Sequence, residues 1–217
     1  MKKLSMVMVG ICLAGFSYTA MAAESAVLTV QGSLGAGSCT PSIVNGGIID
    51  VNKVNINDLS TTVDTALGSF PVGLTISCDA PTKVGFSVTD DQDGTEHKHS
   101  DDVSAVDFGL GDLPDGTTGI GYYQITPALV NVDGNPYGIY ASTDGGVSWT
   151  APAIITPDNS IYSTAQSSTS NTTIAGSFFD YAFTLHPFVD NTDNRLGSAL
   201  TDDTSFQGSA TFEIVYL

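Results

Sequence analysis

The last twelve residues of this chain of 217 alternate between two kinds of side chain. Every second residue is apolar or small, and the residues between them are mostly polar. The apolar or small residues are Phe206, Gly208, Ala210, Phe212, Ile214 and Tyr216. A period of two is that of a β-strand with two chemically different faces. Chain ends are usually frayed and polar, so a terminus this regular and this apolar must pack against something.

The remaining sequence also has a β-protein pattern, with 23 glycines and frequent turn pairs. No amphipathic helix of ten or more residues stands out, and the stretch 163–173 is rich in Ser and Thr, which is typical of a surface loop. Alternation of apolar and polar residues predicts strands at 26–34, 38–44, 48–51, 71–78, 83–89, 105–110, 118–126, 137–142, 178–185 and 207–216. Half-buried strands joined by turns predict an all-β antiparallel sandwich or barrel.

The N-terminus has the three parts of a secretory signal. Two lysines precede the apolar run 4–16, and Ala20-Met21-Ala22 supplies small residues at the cleavage position. A membrane anchor is the alternative, but the apolar run is short for a span. The pattern predicts a signal peptide over residues 1–22, one domain over 23–217, and no membrane span after removal of the signal.

The charge balance is strongly acidic. The whole chain has a formal net charge of −17 at pH 7, and without Lys2 and Lys3 four basic residues remain against 23 acids. Binding to nucleic acid needs clustered Lys and Arg, so we expect no nucleic-acid partner. The acidic surface favours solubility and could complement a basic protein partner.

Two of the three cysteines, Cys39 and Cys78, lie outside the signal. Two cysteines in an exported chain most simply form one disulfide, and a loop of about 39 residues would be stabilised by roughly 4 kcal/mol. A metal site or a catalytic thiol is the alternative. It would need a Cys-x-x-Cys or Cys/His partner set, and none lies nearby.

Three other motifs give weaker signals. Residues 142–149 fit the S-x-D-x-G-x-x-W Asp-box, but the match is single and predicts a well-made turn rather than a propeller. The acidic stretches 90–94 and 96–102 offer only partial sets of metal ligands. No catalytic motif is present. We therefore expect no enzymatic activity, no cofactor and no metal.

The order of features resembles the subunits of chaperone–usher fimbriae. The matching residues are 31–34 leading to Cys39, then Cys78, and the final strand with its penultimate Tyr216. Within that superfamily, Cys39-Thr-Pro41, Asn45-Gly-Gly47 and Cys78-Asp-Ala-Pro81 are similar to a poorly characterised branch of fimbrial-like periplasmic proteins. The similarity covers the signal, the N-terminal third and the last strand.

The resemblance implies an immunoglobulin-like sandwich that lacks its final strand. The C-terminal strand would then have an open edge beside a groove, filled first by a periplasmic chaperone and later by the N-terminal arm of the next subunit. The implied groove residues are Phe206, Gly208, Ala210, Phe212, Ile214, Tyr216 and Leu217. Gly208 would leave room for a bulky donor residue, and the donor arm would present Ala26, Leu28 and Val30.

The function implied is that of a structural subunit of a fimbria, with a role in cell adhesion. Its partners would be the chaperone, an outer-membrane usher and neighbouring subunits, and its location would be the periplasm and then the cell surface. Only eight residues, 23–30, precede Gln31, which is short for a donor arm. The alternative is a free-standing, monomeric β-sandwich binding module of the periplasm or cell surface, for example one that binds carbohydrate.

Overall fold

A computed structural model of the chain describes residues 28–32, 37–98, 106–114, 116, 118–165, 172–190, 200 and 204–217. The chain divides into two compact units, Met1–Gly35 and Ala36–Leu217. The described residues of the first unit, 28–32, form no strand, and their Leu28 and Val30 side chains are exposed. Over all the described ranges, none of the helices has the length and apolar character that crossing a membrane requires.

The second unit is built from antiparallel strands. Its only helical elements in the described ranges are two short 3₁₀ turns, Val44–Gly47 and Ile56–Asp58. The strands of the described residues are β1 (Cys39–Ile43), β2 (Thr65–Ala66), β3 (Phe70–Asp90), β4 (Phe108–Gly109), β5 (Gly121–Val132), β6 (Asn135–Ser142), β7 (Ile161–Ala165), β8 (Ala175–Val189) and β9 (Ala210–Tyr216). The predicted all-β class is confirmed.

Two strands connect the two layers of this sandwich. The first half of β3 pairs with β1 and β8, whereas its second half pairs with β7 and β9. The residues Asn135–Tyr137 of β6 pair with β5, and Gly138–Ser142 pair with β7. The strand pairs therefore run in a ring, in the order β9, β3, β7, β6, β5, β8, β3 again and β1. In the described part of the chain, this ring stays open only between β1 and β9.

The core between the layers is aromatic. The ring of Phe86 lies 5.1–5.7 Å, between centroids, from four other rings, those of Tyr162, Tyr181, Phe183 and Phe212. Phe86 and Tyr181 are fully buried and come from β3 and β8. Contacts of this kind favour one arrangement of the two layers, because aromatic pairs have preferred geometries.

Most predicted strands lie where the sequence placed them, with four differences. The strand predicted at 26–34 is not formed in its described residues, 28–32. The predicted strands 71–78 and 83–89 form one continuous β3, with a register shift between Ser77 and Thr82 where the chain passes from one layer to the other. Residues 48–51 form no strand. The strand β7 lies partly in the stretch predicted as a surface loop, and its Ser163 and Thr164 are fully buried.

Candidate functional site

The candidate site is the seam, which we define as the unpaired gap between the edge strands β1 and β9. Within the described residues, β1 pairs only with β3, over Cys39–Ile43, and β9 pairs only with β3, over Ala210–Tyr216. An edge strand leaves a row of amide and carbonyl groups available to another strand. The seam lies beside the C-terminal strand.

A groove of about 1170 Å³ opens at one end of the seam. Its walls are the segment 46–59 after β1 and the segment 204–212 leading into β9. The floor is apolar and comes from the facing layer, with side chains of Val72, Leu110, Ile120, Tyr123, Ile125, Leu185, Pro187 and Val189. A groove of this shape and chemistry can receive apolar side chains from a second segment of chain.

The inward face of β9 and of the residues before it is incompletely covered. Phe206, Ala210, Phe212 and Ile214 pack against the core but keep intermediate exposure. Phe86 on the neighbouring strand β3, by contrast, has a fully buried side chain. A central strand of a closed sandwich would have its inward side chains buried, and the incomplete burial of β9 agrees with its position at an open edge.

The seven predicted groove residues do not all reach the groove. Phe206, Gly208, Ala210 and Phe212 line it, along with Ile43 from the opposite edge. The other three, Ile214, Tyr216 and Leu217, lie beyond its lining, towards the end of the seam at which the disulfide lies.

At that end a tyrosine crosses the seam. The Cys39 amide donates a hydrogen bond to Tyr216 Oη at 3.0 Å, over a sequence separation of 177 residues. Cys39 itself is joined to Cys78, which confirms the predicted disulfide, and the two residues face each other in the β1–β3 register. The disulfide thus fixes the position of the amide that the tyrosine holds.

Gly208 does not leave the space that the sequence suggested. A Cβ atom at this position would lie 2.6 Å from Tyr123 Cε1 and 2.8 Å from the Gly109 carbonyl oxygen. The space beside the glycine is therefore already filled by this chain. Gly208 permits close approach of the segment 204–209 to β4 and β5, and the predicted room for a bulky donor residue is absent at this position.

The end of the chain rests on the Asp-box turn. Asp144 Oδ1 accepts hydrogen bonds from the amides of Val147 and Ser148 at 3.1 and 2.9 Å, and these bonds, with that from the Ser148 hydroxyl foremost, hold the pKa of Asp144 well below its usual range. A Cβ on Gly146 would meet Leu217 Cδ2 at 3.4 Å. The predicted turn is present, and it supports the last residue of the chain.

A second polar cluster lies apart from the seam. Lys98 forms an ion pair with the buried Asp107 and stands over the Tyr122 ring at 4.7 Å from its centroid. Gln124 Nε2 donates to Asp107 Oδ1 at 2.7 Å. Burial, and after it the charge of Asp64, raises the pKa of the Tyr122 hydroxyl. These groups neutralise one another, which is the arrangement expected of a structural ion pair.

The partial metal motifs can be followed only in part. Among the described residues no three His, Cys, Asp or Glu side chains converge to hold a metal ion. Asp90, in the predicted acidic turn, accepts hydrogen bonds from the amides of Gln92 and Gly109 at 2.9 and 2.7 Å. His99, Asp101 and Asp102 lie outside the described residues.

Of the predicted donor arm, Leu28 and Val30 are 89% and 86% exposed, and Ala26 lies outside the described residues.

Sequence reasoning missed one wall of the groove, the segment 46–59. Its Ile49, Val51 and Val54 are apolar but irregularly folded. The alternation of Ile49 and Val51 was the available signal, and it was interpreted as the strand 48–51.

Comparison with known proteins finds similarity over part of the chain. Residues 28–123 match the family described as "Protein of unknown function (DUF1120)". Two relatives come from Escherichia coli (strain K12). "Uncharacterized protein YhcF" is 30% identical over 132 residues, covering 58% of this chain and 52% of the relative. "Protein GltF" is 30% identical over 152 residues, covering 62% and 58%.

The chain thus spans between half and three fifths of the length of these two relatives. The family match includes β1, β3 and the disulfide, but it ends before β9. The similarity supports a place beside a poorly characterised group of proteins.

Proposed function

We propose that this protein is an exported assembly subunit of the fimbrial type, whose sandwich accepts a strand from another protein chain in the seam between β1 and β9. The single observation that carries the proposal is that β9 pairs on one side only among the described residues, next to a groove with an apolar floor. This is the surface that β-augmentation requires, because the incoming main chain pairs with the open edge and its side chains fill the groove.

The energetics favour such a partner. Full burial of a large apolar side chain contributes roughly 1.5–3 kcal/mol. Phe206, Phe212 and Ile214 are already mostly covered in the isolated chain, so at most about a third of that amount per residue would be gained when a strand fills the seam. The gain is partly offset by the loss of freedom of the incoming segment.

The N-terminal arm supports a donor role as well. Leu28 and Val30 are two residues apart and exposed, and the compact β unit begins only at Ala36. An arm with this alternation has the pattern of a strand that could enter the seam of a second copy. The arm is short, so this subunit is suited to accept a strand more fully than it donates one.

The resemblance to chaperone–usher subunits extends the proposal to partners. A periplasmic chaperone would cover the seam before assembly, an outer-membrane usher would follow, and neighbouring subunits would complete the fold. The acidic surface of this chain, with a net charge of −17, is complementary to a basic partner.

The experiment uses the chain from Ala23 onward, with its disulfide intact, and a synthetic peptide of residues 23–34. Fluorescence polarisation measures binding, and thermal unfolding measures stabilisation. We expect the peptide to bind and to raise Tm, whereas a scrambled peptide of the same composition does neither. Co-expression with a cognate periplasmic chaperone should give a complex that is lost when residues 203–217 are deleted.

A matched pair of variants locates the binding surface. Phe212 lines the groove, whereas Val215 lies outside the groove lining, in the part of β9 that pairs with Gly85. Phe212→Ala should weaken peptide binding about tenfold, by analogy with the truncation of an interface aromatic, and Val215→Ala should change it little. Equal effects of the two variants, or a monomer that ignores both peptide and chaperone, would contradict the proposal.

A binding module for a small ligand is the second candidate. The groove volume, about 1170 Å³, lies just above the range of about 300–1,000 Å³ that is common for small-molecule sites. Screening of the same protein against a glycan array separates the two functions. Binding of a glycan that Phe212→Ala abolishes, together with no binding of the peptide, would favour the module.

A further inference from the structure

The two edges of the seam differ in what they offer to an incoming strand. The amides of Leu217 and Asp91 donate to the carbonyls of Lys83 and Ser209, so the odd-numbered residues of β9 direct their main-chain groups towards β3. Alternation in an antiparallel pair then directs the amides and carbonyls of the even-numbered residues to the open side. The main-chain groups on the open side of β9 are therefore those of Ala210, Phe212, Ile214 and Tyr216.

The opposite edge is mostly blocked. The Asp79 amide donates to the Ser38 carbonyl, so the outward main-chain groups of β1 belong to Cys39, Pro41 and Ile43. The Cys39 amide is already bonded to Tyr216, and Pro41 has no amide hydrogen. Among the described residues, an incoming strand therefore finds one available amide on β1, that of Ile43, and four on β9.

The seam is also narrower at the tyrosine end. A strand inserted between two others requires them to stand about 9.6 Å apart, twice the usual spacing of 4.8 Å. Some Cα atoms of β1 and β9 lie within 8 Å of each other. The groove is lined by Ile43 and Phe212 but not by Cys39 or Tyr216, so its wide end is at the start of β9 and its closed end is at the Tyr216–Cys39 bond.

We propose that Tyr216 is a latch that closes one end of the seam by holding the Cys39 amide. A donated strand enters at the wide end, pairs first with Ala210 and Phe212, and reaches Ile214 and Tyr216 only after the latch opens. The occupant is the N-terminal segment of a second copy, whose exposed Leu28 and Val30 have the required alternation. The inference rests on the proposed function, because it concerns the same seam.

Two peptides distinguish entry of a strand at the wide end from occupation of the whole seam. The twelve residues 23–34 are long enough to run along the whole of 206–216, whereas the six residues 26–31 can cover only the wide end. One net hydrogen bond corresponds to a factor of roughly two to ten in an equilibrium. In stopped-flow experiments Tyr216→Phe, which keeps the ring and removes the hydroxyl, should accelerate association of the long peptide roughly three- to tenfold. Association of the short peptide should not change.

The matched control is Tyr140→Phe. Tyr140 is a half-buried tyrosine of β6 opposite Ser163 of β7, away from the seam, and its substitution should leave both rates unchanged. An equal acceleration of both peptides by Tyr216→Phe, or no acceleration, overturns the latch while the proposed function stands. Failure of both peptides to bind the unaltered protein overturns the proposed function, and the latch with it.

Amide exchange tests the latch in the unaltered protein, independently of any variant. The Cys39 amide should exchange slowly in the free chain, although it lies on the open side of an edge strand, because Tyr216 holds it. Exchange as fast as that of an unstructured backbone would overturn the inference.

Discussion

Removal of the Cys39–Cys78 disulfide tests how the edge strand β1 is held. The disulfide joins residues 39 positions apart, and the chain-entropy model gives a stabilisation of about 4 kcal/mol for a loop of this length. The other anchors of β1 are few. Thr40, Pro41 and Ser42 are exposed, and only the two ends of the strand are half-buried.

We therefore expect two effects in the double variant Cys39→Ala/Cys78→Ala. The free energy of unfolding falls by about 4 kcal/mol, which is a large part of the 5–15 kcal/mol typical of a domain. In addition, β1 separates from β3 before the rest unfolds, because local stability follows local burial. Loss of β1 also removes the Cys39 amide from Tyr216, so the seam opens along its whole length.

Urea denaturation measures the first effect and amide exchange the second. The amides of Thr40 and Ser42, which point to β3 in this register, should exchange at least tenfold faster in the variant than in the oxidised protein, while those in the middle of β8 remain protected. A reductant should reproduce the change in the unaltered chain and have no effect on the variant. A stability loss below about 1 kcal/mol, against the 4 kcal/mol of the model, with β1 still protected, would refute the reasoning.

Two further predictions concern single residues. Gly208→Ala places a methyl group against Tyr123 and the Gly109 carbonyl, so it should lower the free energy of unfolding by about 1–3 kcal/mol in urea denaturation. The control is Gly32→Ala, whose added methyl group meets nothing within 4 Å. Equal stability of the two variants would contradict the packing argument. The pKa of Asp144 lies below its ordinary value, so the contribution of the Asp-box turn is complete above about pH 4 and is lost as the pH falls through the folded pKa. NMR titration of the Ser148 amide should therefore show its transition below that of exposed carboxylates, and a transition at about pH 4 would show that the carboxylate does not hold the turn.

Local sequence patterns were sufficient for those parts of the fold whose cause is local. Alternation located β1, β8 and β9, since a strand with one buried face must repeat every second residue. The Asp-box residues 142–149 predicted their own turn, because its hydrogen bonds join neighbours in sequence. The Cys39–Cys78 pairing followed from the absence of any other cysteine outside the signal.

Partners distant in sequence decided what the patterns could not. The strand β7 was interpreted as part of a polar loop because its burial depends on a bond that sequence does not reveal: Ser163 Oγ donates to the Val84 carbonyl at 2.7 Å, 79 residues away. The continuity of β3 was missed because Pro81 signals a break. The bulge between Ser77 and Thr82 accommodates it as the strand changes layers.

By itself, the sequence determined that the chain forms an all-β sandwich with a disulfide and an apolar last strand. The residues facing the core could be predicted because burial imposes a periodicity on every strand. Only the tertiary structure decided the shape of the seam. Its closed end depends on a hydroxyl and an amide separated by 177 residues, and the filled space at Gly208 depends on the ring of Tyr123. Such contacts are set by how the layers pack, and no local pattern encodes them.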